Sequence, residues 1–477
     1  MTTVVVEIER NEVLLPRIPH GRRLRVLISA QAVSPVRGSE PGLGWNLISR
    51  LAQWHDVTVL CSPNSHSADE QAYRDEIETY LAQRGPIPGL TFNFIKAPLL
   101  CLLFQYETGI RRRTVYYIGY NAWQRKVYQI ASELHAQKPF DIIHHLNITG
   151  YREPGYLWKL SAPFVWGPVT GAADIPFSYF PLMGWGDRTF YAVRNMQNMI
   201  QKHANPRCRA AARTARHIWA VGKESMELIN GTWGYSAENF IESGAVIRND
   251  VMPRQFDGKR PLKLVWSGQH IGRKALPILL HALEKIKRDQ EGLEASSPVN
   301  LTILGEGPET SRWKEIAQKL GVADQVQWAG QMSHEAALRE VSQSDLLVHT
   351  SVQEGTPHVV LEALSLGVPV LCHNACGMSV AVNESCGVKI DMLSPEASIS
   401  GFADAIQGFL SDPDKVQRMS AGAISRAKEL SWDSKAWQIS QQYWRIAGSS
   451  DAALSLNEGS VAFAGLSGPF VMDGISR

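Results

Sequence analysis

The stretch LVHTSVQEGTPHVVLEALSLGVPVL, Leu347 to Leu371, sets two carboxylates, Glu354 and Glu362, in a segment that otherwise reads as buried strand, tight turn and apolar helix. The strand is DLLVHTS, the turn is VQEG, and Thr356 with Pro357 makes a helix start, a hydroxyl at the N-cap and proline at the first helical position. The helix is expected to run to about Leu366, with Gly367 as its stop and Pro369 opening the next strand. Glu354 then precedes the helix and Glu362 lies inside it, at most roughly 12 Å away at ~1.5 Å per residue. Catalytic carboxylate pairs stand closer, at about 5 to 9.5 Å, so the spacing suits two ends of one elongated ligand. Between the acids, at Gly355, Thr356 and Pro357, the free N–H groups of the helix start form a seat for a diphosphate. The plainer alternative is one acid on the helix dipole and one on the surface. Glu362 is flanked by Val359, Val360, Leu361, Ala363 and Leu364, and so apolar a helix is buried, which points its one acid at a cleft or a partner.

Outward from this stretch, short apolar runs alternate with helical patterns. Leu262–Trp266, Leu301–Leu304, Val326–Trp328, Leu346–Thr350 and Pro369–Cys372 read as strands of one unit. Leu24–Ser29, Val57–Cys61, Thr91–Ile95, Asp141–His144, Pro163–Trp166 and His217–Val221 read as strands of another. Such alternation implies two doubly wound parallel sheets, and 477 residues suit two domains. The expected division is an N-terminal extension over 1–22, a first Rossmann-like domain over 23–255 and a second over 256–430. A helix over 431–447 and a small, polar tail over 448–477 follow. Two such domains face each other across a cleft lined by the carboxyl ends of their strands.

The formal charge of +2, and the lack of a Lys/Arg footprint of the extent that phosphate tracking needs, argue against nucleic-acid binding. Cys61, Cys101, Cys208, Cys372, Cys376 and Cys386 are scattered without metal or CxxC spacing, and the chain start carries no secretory apolar region, so a cytoplasmic setting is expected. The one D-x-D, Asp412 to Asp414, reads as a capping turn, and no metal or other cofactor is expected. No apolar run reaches membrane-span length. The run APLLCLLF (97–104) with Arg111, Arg112 and Arg113 suits either a surface that docks on anionic lipid or, with slight preference, a core helix with a basic cap.

Three further constellations bear on function. In LVWSGQHIGRKALPILLHAL (264–283), Gly268 follows a strand, and Arg273 and Lys274 stand at a helix head, where two cations make sense if they share an anion. Solvated surface cations are the equal alternative on this segment alone. In VRGSEPGLGWN (36–46), Gly38, Gly42 and Gly44 permit close backbone approach and positive φ at a strand-to-helix turn, without the dinucleotide spacing. In DIIHHLNITG (141–150), His144 and His145 close a strand, where a histidine is more often structural than catalytic. VWGPVTGA (165–172) reads as a cleft-edge loop or an ordinary turn.

EGTPHVVLEALSLGVPVL closely resembles the E-x7-E signature of retaining GT-B glycosyltransferases of family 4, and LTILGEGP, VQWAG and SDLLVHTS follow in that family's order over most of the second half. The resemblance implies a GT-B fold whose C-terminal helix, in ELSWDSKAWQISQQYW (429–444), crosses back to the first domain. It implies donor-sugar contact by Glu354, ribose contact by Glu362 and a diphosphate clamp at Gly268 and Lys274. Gln269 stands where the family's loop Arg is usual and Ala275 where Gly follows the Lys, so Arg273 is the candidate replacement cation. The SEPGxGWN form resembles some bacterial polysaccharide enzymes and sets Gly42 and Gly44 beside the sugar phosphate. The family's D-x-x-H-x-H pattern makes His144 or His145 a candidate near the sugar. The implied activity is retaining transfer from a nucleotide-diphosphate sugar to a hydroxyl of a saccharide or lipid-linked saccharide, in extracellular polysaccharide or glycolipid synthesis. The implied place is the cytoplasm, extending to the inner face of its membrane. A catalytically silent GT-B partner subunit, and a GT-B phosphorylase or sugar-nucleotide epimerase, are the alternatives.

Overall fold

The computed structural model describes residues 22–64, 72–96, 110–289 and 298–455, without the side chains of 110–116 and 449–455. The expected N-terminal extension up to residue 21, the run 97–104 and the side chains of Arg111, Arg112 and Arg113 lie outside the described residues.

Among the described residues, seven strands form the first sheet: β1 (Arg25–Ala30), β2 (Asp56–Cys61), β3 (Leu90–Phe94), β4 (Ile142–Asn147), β5 (Phe164–Val169), β6 (His217–Ala220) and β7 (Glu238–Asn239). Six form the second: β8 (Leu262–Ser267), β9 (Val299–Leu304), β10 (Val326–Gly330), β11 (Leu346–His349), β12 (Val370–His373) and β13 (Gly387–Ile390). Their orders are β3-β2-β1-β4-β5-β6-β7 and β10-β9-β8-β11-β12-β13, and every pairing is parallel. The architecture is therefore α/β, two Rossmann-like sheets. In each, the order reverses between two central strands, β1 and β4 or β8 and β11, and the loops leaving those strands diverge to open a crevice. The edge strands β7 and β13 were not foreseen, since β7 has two residues and β13 no clear apolar alternation.

Both faces of each sheet are covered, as parallel sheets require. Leu264, Trp266 and Leu301 pack with Leu279, Leu283, Phe402 and Ile406 on one face of the second sheet. Val265 and Leu347 pack with Val360, Leu364 and Ala423 on the other. The final helix, Trp432–Ser455, returns to the first sheet. Its Trp432, Ala436, Ile439, Tyr443 and Ile446 recur every three or four residues and bury against Val26, Ile48 and Trp54. It runs to Ser455, past the expected end at 447, because Gly448, Ser449 and Ser450 do not break it. Beside the helix start, Ala245 donates to Leu430 O at 2.9 Å and accepts from Trp432 N at 3.3 Å, so the two chain crossings between domains run side by side.

A third crossing was not visible in the sequence. Residues 173–191 fall within the first domain by chain order, yet Ile175, Tyr179, Met183 and Tyr191 join the core of the second. The Tyr179 hydroxyl lies 2.7 Å from Ser398 Oγ and donates to Ser394 O at 3.0 Å, and Arg312 donates to Leu182 O at 2.9 Å. The helix Trp185–Ala204 then leads the chain back, its far end tied by Trp233 Nε1 donating to Lys202 O at 2.8 Å.

Candidate active site

The switch point of the second sheet explains why two loops distant in sequence meet. The loop after β8 makes a short turn over Gly272–Lys274, closed by Ala275 in the left-handed region at φ 47°. That conformation accounts for glycine being usual at this position. The loop after β11 carries Ser351, Gln353 and Glu354. Glu354 Oε1 takes an ion pair from Arg273 Nη1 at 2.7 Å and a shorter one from Lys274 Nζ, and Ser351 Oγ donates to the same oxygen at 2.9 Å. Arg273 Nη1 also donates to Gln353 O at 2.7 Å. Burial alone would raise the Glu354 carboxyl, but Lys274 and then Arg273 outweigh it and hold it at about 2. Burial pulls the Lys274 amine below its ordinary value despite Glu354. It drives the neighbouring His349 down to about 3, with Lys274 adding to the effect.

The helix carrying the second glutamate spans His358–Ser365, one residue later than expected, and Pro357 rather than Thr356 is its N-cap. Thr356 is instead drawn to Glu242, on the segment between the domains: its N–H donates to Oε1 at 2.6 Å and its hydroxyl to Oε2 at 2.7 Å. The expected anion seat thus holds a carboxylate of the chain itself. A Cβ at Gly355 would lie 2.2 Å from Glu242 Oε1, so a larger residue there would displace that carboxylate. Glu362, a third exposed, pairs with His334 Nε2 at 2.8 Å, and that bond holds His334 above its ordinary value against partial burial.

At Gly268 a Cβ would make only ordinary contact, 3.4 Å from Lys274 Cε; the tight approach is at Gly305, where a Cβ would meet the Gly268 carbonyl oxygen at 2.2 Å. Gly42 and Gly44 do not form a positive-φ loop; both lie inside the helix Ser39–Leu51. They admit the chain beneath it, because a Cβ at Gly42 would meet Arg37 O at 2.3 Å and one at Gly44 would meet Ala32 O at 2.6 Å. The polar group this turn offers is Glu40, half-buried, which accepts from Thr149 N at 2.9 Å and Thr149 Oγ1 at 2.8 Å. Burial raises its carboxyl, and Glu242 adds to the rise.

The histidines depart from expectation. Strand β4 continues to Asn147, so His144 and His145 are interior strand residues, buried rather than at the cleft. His144 Nδ1 lies 2.5 Å from the Tyr443 hydroxyl and Nε2 2.7 Å from Gly167 O. This assigns a neutral ring with the proton on Nε2, in keeping with burial lowering it to about 3. It fastens the final helix to the first sheet. His145 is lowered by burial to about 4. Both side chains are buried, His144 at 0% and His145 at 1% exposure.

Two contacts from the third crossing reach the site: Asp187 Oδ2 accepts from Gly272 N at 2.6 Å, and Gln353 Nε2 donates to Ala173 O at 2.7 Å. Glu40, Glu242, His334 and Asp187 were missed in the sequence because their partners lie 28 to 114 residues away.

Residues 250–426 match the family model described as Glycosyl transferases group 1. A glycogen synthase of Mycobacterium tuberculosis is 29% identical over 206 residues, 42% of this chain and 47% of that protein. A D-inositol 3-phosphate glycosyltransferase of Rhodococcus jostii is 30% identical over 178 residues, 36% of this chain and 37% of that protein. The chain thus spans less than half the length of these curated relatives. Among solved structures, the sucrose-phosphate synthase of Thermosynechococcus elongatus superposes with TM-score 0.56 at 16% identity, covering 90% of this chain and all of its own. The lipopolysaccharide outer core galactosyltransferase WaaB gives 0.56 at 14%, covering 89% and 99%. Anabaena Alr3699/HepE in complex with UDP gives 0.52 at 16%, covering 88% and 99%. The second half of the chain is thus similar to group 1 glycosyl transferases, and the whole chain shares the two-domain GT-B fold of these solved structures.

Proposed function

We propose that this protein transfers a sugar, with retention at the anomeric carbon, from a nucleotide-diphosphate sugar to an acceptor hydroxyl. The observation that carries the reading is the meeting of Arg273, Lys274 and Glu354 at the switch point of the second sheet, beside a helix start that already attracts a carboxylate. Glu354 takes hydroxyls of the donor sugar and Glu362 takes the ribose. Arg273, Lys274 and the N–H groups about Thr356 receive the leaving diphosphate, where charge develops as the glycosidic bond breaks. The anomeric C–O bond breaks toward the phosphate oxygen, the acceptor oxygen bonds the same face, and its proton passes to the departing phosphate. No metal or other cofactor enters this scheme.

The acceptor faces the first domain, near Glu40 and Thr149. The SEPGLGWN resemblance favours extracellular polysaccharide or glycolipid synthesis from the cytoplasmic side. Thermal-shift and calorimetric titration with UDP, GDP, ADP and TDP tests the reading, since a ligand at about 100 times its dissociation constant adds about 2.7 kcal/mol of stability. One of these nucleotides is expected to raise the melting temperature, and the rise is expected to shrink in Lys274→Ala. Failure of every nucleotide to bind would overturn the proposal.

A further inference from the structure

The helix Trp185–Ala204 is amphipathic the wrong way round. Apart from Tyr191, which joins the core of the second domain, its inner face is polar and engaged. Asp187 accepts from Gly272 N, and Asn195 donates to Ile175 O at 2.7 Å. Asn198 accepts from the Tyr151 hydroxyl at 2.6 Å, and Lys202 pairs with Asp174 at 2.6 Å. Its outer face is apolar: Trp185 is 80% exposed, Val193 40%, Met196 55%, Met199 58% and Ile200 55%. At 3.6 residues per turn these five side chains fall within about a third of the circumference. A water-facing helix of a globular domain has the opposite pattern, and an exposed apolar patch of this kind marks a surface that is covered.

Charge indicates by what. From Trp185 to Arg216 the chain carries Arg188, Arg194, Lys202, Arg207, Arg209, Arg213 and Arg216 against Asp187 alone; Asp174 and Glu153 pair with Lys202 and Arg207, each at 2.6 Å, so the excess of positive charge rests on the remaining arginines. Arg209, Arg213 and Arg216 are exposed on and just after the next helix, Pro206–Thr214. A helix of this length is about 30 Å long, so its stripe offers on the order of 300 Å², short of the about 800 Å² per partner of a stable protein interface. A narrow apolar stripe with an aromatic end and a cationic continuation fits the interface of an anionic bilayer. We infer that this helix docks the protein on anionic lipid, laying Trp185, Met196, Met199 and Ile200 among the acyl chains while Arg209 and Arg213 meet the headgroups.

The test is flotation of the full chain with vesicles of phosphatidylcholine alone or mixed equally with phosphatidylglycerol. Binding is expected to the mixed vesicles, to weaken between about 0.1 and about 0.5 M salt, and to be slight to phosphatidylcholine. The triple variant Met196→Ser, Met199→Ser, Ile200→Ser should lose about tenfold or more of that affinity. Its side chains are exposed and outside the site, so melting temperature and nucleotide binding should be unchanged. Arg209→Ala with Arg213→Ala should remove most of the salt-sensitive part. The inference is overturned if the parent protein does not float with the mixed vesicles, or if the triple variant floats as well as the parent. It is equally overturned if light scattering shows a dimer that the triple variant abolishes, which would assign the face to a second copy. None of these outcomes depends on whether a sugar is transferred.

Discussion

Lys274 and Glu354, each with a side chain 11% exposed, hold charge in a place that would otherwise remove it. Truncating either leaves the other uncompensated, so neither substitution is a clean probe of chemistry alone. Glu354→Gln is the sharper one. A carboxyl held near 2 in the folded protein and 4.5 when unfolded contributes stability above about pH 4.5, which is lost as the pH falls toward 2. Denaturant titrations across that window should therefore show the parent protein losing more stability than Glu354→Gln; parallel curves would contradict the pairing. Glu242 leads to a second expectation. Its carboxylate rests on Thr356, where a phosphate oxygen would gain the same N–H and hydroxyl, so the two compete. Glu242→Ala is expected to tighten nucleoside-diphosphate binding by about threefold to tenfold, read by calorimetry; weaker binding would make Glu242 a ligand contact instead. At this scale the sequence revealed the residues whose chemistry is local. Glu354, Lys274 and Arg273 follow strands at legible spacing. Glu242 and Glu40 could not be found that way, because what makes them notable is a partner brought by the fold. His144 and His145 misled because β4 runs three residues farther than its apolar run suggests.

Among elements, the sheets were the legible part, since parallel strands buried on both faces announce themselves as apolar runs. The third crossing was not, because Tyr179 and Met183 look like any short apolar segment until the second sheet is beside them. Its consequence is testable at Asp187. Asp187→Ala removes the acceptor for Gly272 N–H and should cost about 1 to 2 kcal/mol of stability. It should also raise the donor KM more than it lowers kcat, because the turn that aims Arg273 and Lys274 loses its hold. Asp187→Asn keeps an acceptor oxygen and should recover most of both. If the two variants behave alike in KM, Asp187 does not position the loop. The final helix makes a similar case: Tyr443→Phe takes the partner from His144 Nδ1 and should cost about 1 kcal/mol in chemical denaturation.

At the scale of the molecule, three crossings join the domains among the described residues: the segment through Ala245, the final helix, and the arm of Tyr179 and Met183. Gln353 bonded to Ala173 and Gly272 bonded to Asp187 mean that the arm, which leaves and re-enters the first domain, braces the loops after β8 and β11. A hinge braced at three places should open little, so the radius of gyration in solution scattering should change little on nucleotide addition, and a large compaction would contradict the brace. The central claim is the transfer itself, at the cluster of Lys274, Arg273 and Glu354. Its most direct test is nuclear magnetic resonance of the product formed from the nucleotide sugar that binds, with and without acceptor. An acceptor-dependent glycoside with the donor's anomeric configuration is expected. Its rate should fall about a hundredfold or more in Lys274→Ala that remains folded by circular dichroism. An inverted product, or a Lys274→Ala protein as fast as the parent, would contradict it.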